Sequence, residues 1–195
     1  MTDVVVIGGG LAGLISSILL VRDGISVTLV EKKTYPFHRV CGEYISNEVI
    51  PFLKNNGLYP SQLDPASITT FELTDPKGHL MTMPLDLGGF GVSRFAFDHW
   101  LYEVAKAEGV HIQEKTNVLS VDFQESHFEV ETNHGTLHAK YVIGSYGKRS
   151  SLDRKLQRSF FFKKSPYIGV KYHIKTKEAN HDAVALHNFK GGYCG

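Results

Sequence analysis

Val4-Val5-Val6-Ile7-Gly8-Gly9-Gly10-Leu11-Ala12-Gly13 opens the stretch that decides the fold, which runs on to Val30-Glu31-Lys32. Residues 3–7 are rich in β-branched side chains, as a strand buried on both faces requires. Residues 11–23 follow a helical period, with Leu11, Leu14, Ile15, Ile18 and Leu19 on one face, and Gly24 stands where helices commonly end. Residues 26–30 read as a second strand. Strand, glycine turn, helix and strand fit within about thirty residues, the size of a βαβ unit.

Each glycine of the turn has a separate task. Gly8 allows the tight turn, Gly10 lets a pyrophosphate approach the backbone, and Gly13 lets the helix pack close to the sheet. Leu11 and Ala12 complete the first helical turn, whose free N–H groups and positive dipole end favour phosphate. Glu31 closes the second strand about twenty residues further on, where a carboxylate accepts both ribose hydroxyls and repels a 2′-phosphate. The whole is a dinucleotide site that disfavours NADP.

The rest of the composition mostly excludes. A net charge of +1 gives no electrostatic case for nucleic acid. The apolar run 4–21 is broken by its glycines, which argues against a transmembrane span. Two cysteines, Cys41 and Cys194, form neither a disulfide framework nor a CxxC pair, and a reduced, cytoplasmic setting is expected. The ten histidines show no metal-ligand spacing; His134 and His138 flank an expected turn and read as surface residues.

Further along, the spacing predicts helices over 46–56 and 95–108, closed by Gly57 and Gly109. Strands are expected at 68–75, 79–83, 110–113, 116–123, 128–132, 136–139, 141–144, 167–174 and 183–189, with a loop or strand edge at 88–91 and a loop at 145–150. The chain stops after Gly191-Gly192-Tyr193-Cys194-Gly195, beyond a strand that needs a partner, so it is expected to be part of a longer protein.

Residues 4–31 resemble the N-terminus of the flavoprotein superfamily that includes aromatic hydroxylases, geranylgeranyl reductases and flavin-dependent halogenases. Three later segments are also similar. Pro36-Phe37-His38-Arg39-Val40-Cys41-Gly42-Glu43 resembles the P-x-x-K/R-x-C-G segment of the geranylgeranyl reductase branch. Ser93-Arg94 with Phe97-Asp98-x-x-Leu101 resembles the family's arginine-plus-helix segment. Val142-Ile143-Gly144-Ser145-Tyr146-Gly147-x-x-Ser150 stands where the family carries G-A-D-G-x-x-S, with Tyr146 in place of the aspartate.

The resemblance implies an α/β fold: a Rossmann-like FAD-binding domain (1–66 and 92–158) with an interleaved, incomplete β-sheet substrate domain (67–91 and 159–195). It implies FAD as cofactor, with Lys32, Arg39 and Arg94 near phosphate or ribose, Val118 offering backbone contact to adenine, and Gly147 holding the ribityl side. It places Cys41 near flavin and substrate, where a site-lining thiol and a small buried residue are both open readings. Glu43 reads as a solvated loop carboxylate.

The expected activity is that of an FAD-dependent oxidoreductase. It would be reductase-like, transferring hydride from flavin to an apolar, unsaturated small molecule, with the electron donor unspecified. A flavin monooxygenase or halogenase, or a non-catalytic nucleotide-binding or electron-transfer module, are the alternatives.

Overall fold

The computed structural model describes residues 1–148, 150–163, 165–175 and 181–195. Arg149, in the expected 145–150 loop, and Lys164 and 176–180, in the expected 159–195 segment, lie outside the described residues. The chain divides into two compact units, 1–38 with 98–168, and 39–97 with 169–195. Residues 39–66 group with the second unit because their strand joins its sheet.

The first unit holds a six-stranded sheet. The chain enters as β1 (Thr2–Ile7), turns through the glycines into α1 (Leu11–Arg22), and returns as β2 (Val27–Val30), parallel to β1. Gly24 at φ +78 ends α1, with Ile25 N–H bonding Leu20 C=O and Gly24 N–H bonding Val21 C=O. The buried stripe of α1 is Gly13, Leu14, Ser17 and Ile18: of the expected face, Leu14 and Ile18 are buried, while the stripe turns away from Leu11, Ile15 and Leu19 toward the two small residues. Small residues at 13 and 17 bring the helix axis close to the strands, so the larger side chains fall to the sides of the contact.

The other strands of this sheet are β6 (His111–Gln113), β7 (Val118–Gln124), β8 (His127–Thr132) and β9 (Gly135–Gly144), giving the order β6-β2-β1-β9-β8-β7. β9 runs parallel to β1 and antiparallel to β8, so the strands expected separately at 136–139 and 141–144 are one. The connection after β1 leads to β2 on one side, while β9 lies on the other. The glycine turn therefore sits where ligands enter open α/β sheets. Val5, Ile7, Val30, Val118, Val130, Ala139 and Leu152 form a buried core cluster. α4 (Ser151–Lys155) packs on β7.

The second unit holds a five-stranded sheet of β3 (Tyr44–Ser46), β4 (Ala66–Thr74), β5 (Leu80–Gly91), β10 (Ala183–Phe189) and β11 (Gly192–Cys194), in the order β11-β10-β4-β5-β3. β3 (Tyr44–Ser46), a 3-10 turn (Asn47–Val49) and α2 (Ile50–Asn55) replace the helix expected at 46–56. Pro51, which disfavours helix in the residue before it and lacks an N–H, is tolerated only in a first turn, so α2 begins there. β4 (Ala66–Thr74) pairs antiparallel with β5 (Leu80–Gly91), so of the two readings of 88–91, loop or strand edge, the strand holds. The register shift between Ile68 and Thr70 accommodates Gly88 at φ +66.

β10 (Ala183–Phe189) pairs parallel with β4 and antiparallel with β11 (Gly192–Cys194). The strand expected at 167–174 does not form. Tyr167, Ile168, Val170, Tyr172 and Ile174 are exposed, and β10 occupies the β4 edge. α3 (Arg94–Ala107) joins the sequences of the two units and ends at Gly109, φ +95. No helix among the described residues is long and apolar enough to cross a membrane.

Candidate functional site

In the first unit the glycine turn is fixed by close backbone approaches. Gly8 has φ +102, and a Cβ there would stand 2.6 Å from Tyr146 Cα and 2.7 Å from the Ser145 carbonyl oxygen. Ser145 N–H donates to Ile7 C=O at 2.8 Å, and the Ser145 hydroxyl reaches the carbonyls of Ile7 at 3.0 Å and Gly8 at 2.7 Å. A Cβ at Gly13 would run into the Gly8 carbonyl and stand 2.6 Å from Ser145 Oγ. The loop after β9 and the first turn of α1 are thus locked onto the end of β1.

Gly10 is the N-cap of α1 in an extended conformation, with no side-chain cap and no acid in the first turn. Leu14 N–H reaches Gly10 C=O at 2.9 Å, so the N–H groups of Leu11, Ala12 and Gly13 have no intrahelical acceptor. Bare donors and the positive helix end suit a pyrophosphate.

Glu31 is buried at the end of β2. Its Oε2 accepts the Gly9 N–H at 2.9 Å and its Oε1 accepts the Lys33 N–H at 3.0 Å.

The Gly9 carbonyl accepts the Tyr35 hydroxyl, and a Cβ at Gly9 would collide with that hydroxyl. The Tyr35 ring stacks on Tyr102 at 4.4 Å, and Glu114 accepts the Tyr35 N–H at 2.6 Å and the Tyr102 hydroxyl at 3.2 Å. Burial, and next the Glu114 charge, push the Tyr102 phenol up. Gly9 is therefore held through its N–H by Glu31 and through its C=O by Tyr35. Tyr35→Phe keeps the stack and removes that bond. It should lower stability by about 1 kcal/mol and weaken dinucleotide binding several-fold, read by thermal melting and nucleotide titration.

The remaining expected residues are less uniform. Val118 is in the core, two residues beyond Thr116, whose N–H donates to Glu31 C=O at 3.0 Å. Lys32 is exposed. Gly147 has φ +72 and open space around it. Tyr146 packs on the core cluster, and its hydroxyl donates to Asp153 Oδ1 at 3.3 Å. Burial first, then the Asp153 charge, raise its phenol pKa. Sequence reasoning missed Tyr35, Ser145 and Glu114, which sit in irregular or connecting segments where no periodicity marks them.

Arg39, Cys41 and Arg94 belong to the second unit. Cys41 is half-buried, and its sulfur accepts the Glu43 N–H at 3.4 Å. Glu43 departs from the solvated reading. Only 16% of its side chain is exposed, because three partners draw it inward. Its Oε1 accepts the Arg94 N–H at the start of α3 at 2.6 Å and meets the Lys171 ammonium, while His173 Nε2 lies 3.0 Å from Oε2. Burial pushes the carboxyl up, but Lys171, the Arg94 N–H and His173 outweigh it and hold it below its ordinary value.

The family model described as FAD binding domain matches residues 1–187. A digeranylgeranylglycerophospholipid reductase of Methanococcus vannielii is 30% identical over 188 residues, 93% of this chain and 43% of the relative. The flavin-dependent halogenase armH3 of Armillaria mellea is 31% identical over 133 residues, 63% of this chain and 26% of the relative. The chain thus spans less than half the length of these curated relatives. A flavoprotein/dehydrogenase structure from Cytophaga hutchinsonii superposes with a TM-score of 0.72 at 20% identity, covering 95% of this chain and 49% of that one. With the match extending over residues 1–187, the chain belongs to the FAD binding domain family, and its cofactor is FAD.

Proposed function

We propose that the first unit holds FAD and that the protein is an oxidoreductase of the geranylgeranyl reductase type, acting on an apolar, unsaturated small molecule. The observation that carries the FAD site is the uncapped, acid-free start of α1 beside a buried Glu31 fixed by Gly9. The N–H groups of Leu11, Ala12 and Gly13 would face the pyrophosphate, and Glu31 the adenosine ribose. The Val118 backbone would meet the adenine and the Gly147 backbone the ribityl chain. Lys32, Arg39 and Arg94 would supply cations to phosphate or ribose.

Bound FAD supplies the hydride chemistry. In this reading the second unit forms part of the substrate domain, and Cys41 lines the site as a thiol. The reductase assignment is supported by the Pro36 to Glu43 segment with its cysteine and by the reductase relative matching 93% of this chain. A monooxygenase or halogenase reading is supported by the halogenase relative. Both cysteines are free, which suits a reducing cytoplasm.

The test uses the full-length protein loaded with FAD. A flavin absorption spectrum is expected, and, once the bound flavin has been reduced by dithionite and excess reductant removed, loss of a substrate double bond with reoxidation of the flavin and without oxygen consumption. Substrate-dependent oxygen uptake would overturn the reductase reading in favour of a monooxygenase. A protein that stays colourless with FAD would overturn the FAD site.

A further inference from the structure

We propose that the outer face of the β7-β8-β9 meander carries a divalent transition-metal site of the zinc type, built from His127, Glu129 and His138. His127 and Glu129 are two residues apart on β8 and so share a face, and Glu129 stands directly opposite His138 on β9. The intervening Phe128 and Val130 take the other face, where Val130 joins the core. Strand pairing thus brings together three ligands that spacing along the chain does not reveal.

The donor atoms converge. His127 Nε2 and His138 Nδ1 each lie 3.9 Å from Glu129 Oε1, and all three donors fall within 4.8 Å of one another. The two imidazole rings are 5.4 Å apart between centroids. A separation of 3.9 Å is too long for a hydrogen bond, so these groups point at a common space without closing on each other. A tetrahedral ion with bonds of about 2.05 Å holds its donors about 3.3 Å apart, which small rotations of exposed side chains can reach. The side chains are 31%, 41% and 47% exposed, so an ion can enter without disturbing the core.

The chemistry suits a borderline metal. Two imidazoles and one carboxylate match a three-ligand zinc site with a fourth position for water. Asp122 on β7 also pairs opposite Glu129, adding negative charge on this face. The ion would clip β8 to β9, stabilising the meander by mass action. The site lies within the first unit and is independent of the flavin reading.

The test strips the full-length protein with a chelator and titrates it with zinc against a chromophoric chelator. One bound equivalent is expected, with a zinc-dependent rise in melting temperature. His127→Ala and His138→Ala should each weaken binding by at least about tenfold, the lower bound for losing even a supporting group of a metal site. His134→Ala, in the neighbouring turn, should leave binding unchanged. All are surface positions, and circular dichroism checks the fold of each variant. If the parent binds zinc no more tightly than the His127→Ala/His138→Ala double variant, whether neither binds or both bind alike, the site does not exist.

Discussion

Gly8→Ala is expected to abolish flavin binding and to destabilise the first unit by about 2–6 kcal/mol. Two costs combine: a non-glycine residue in a sparsely populated backbone region, about 1–3 kcal/mol, and overpacking, about 1–3 kcal/mol. At φ +102 the added methyl would stand 2.6 Å from Tyr146 Cα. That neighbour is backbone, not the end of a flexible side chain, so relief requires moving the loop that Ser145 ties to β1. Domains are typically stable by only about 5–15 kcal/mol, so the variant loses much of its margin. Gly24→Ala is the control, since its φ of +78 imposes backbone strain while nothing lies within 4 Å of the new methyl. It should cost about 1–2 kcal/mol and retain flavin. Urea unfolding and the visible spectrum of both proteins decide the matter; a yellow Gly8→Ala protein with unchanged stability would show that the turn is not locked.

Glu43→Ala should destabilise the second unit by about 2–3 kcal/mol, below the 3–5 typical of a fully buried broken pair because the site is partly solvated. The loss has two parts: the Arg94 N–H loses the anion at the start of α3, and the Lys171 ammonium loses its counter-charge. Glu43→Ala/Lys171→Ala should therefore be less destabilised than the sum of the single variants. The pH dependence has a definite sign. The folded carboxyl titrates below its ordinary value of 4.5, so its stabilisation is present above that value and disappears as pH falls through the folded pKa. Glu43→Gln should flatten the acid limb of the stability curve over that window, and an unchanged acid limb would remove Glu43 from the account.

The glycine turn, α1, β2 and Glu31 are readable in sequence because their determinants are local: period, breakers and a motif within one βαβ unit. α3 and the β7-β8-β9 meander follow for the same reason. What sequence does not reveal is held by distant partners. Tyr35 finds Gly9 across 26 positions, Ser145 finds Gly8 across 137, and Glu43 finds His173 across 130. Residues 167–174 have strand-like composition, yet a strand also needs an open edge, and the edge of β4 goes to β10. Pro51 and Gly88 did carry signals, the first for a late helix start and the second for a bulge within a long strand.

The central position of β1 has a consequence for the chain as it is being made. Its partner β2 follows closely, but the other edge is covered only by β9, from Thr2 opposite Ala139 to Ile7 opposite Gly144. At about 5–20 residues per second of synthesis, that edge stays uncovered for on the order of ten seconds. During that interval an apolar strand, Val4 to Ile7, presents unpaired backbone to any neighbouring nascent chain. Asp3 near its start and the three glycines after it are the residues that discourage adhesion, a charge and a set of poor strand formers on either side of the sticky segment Val4 to Ile7. Once β9 arrives, Asp3 is taken up by Lys140 at 2.7 Å, so a guard of the growing chain becomes a clasp of the finished one.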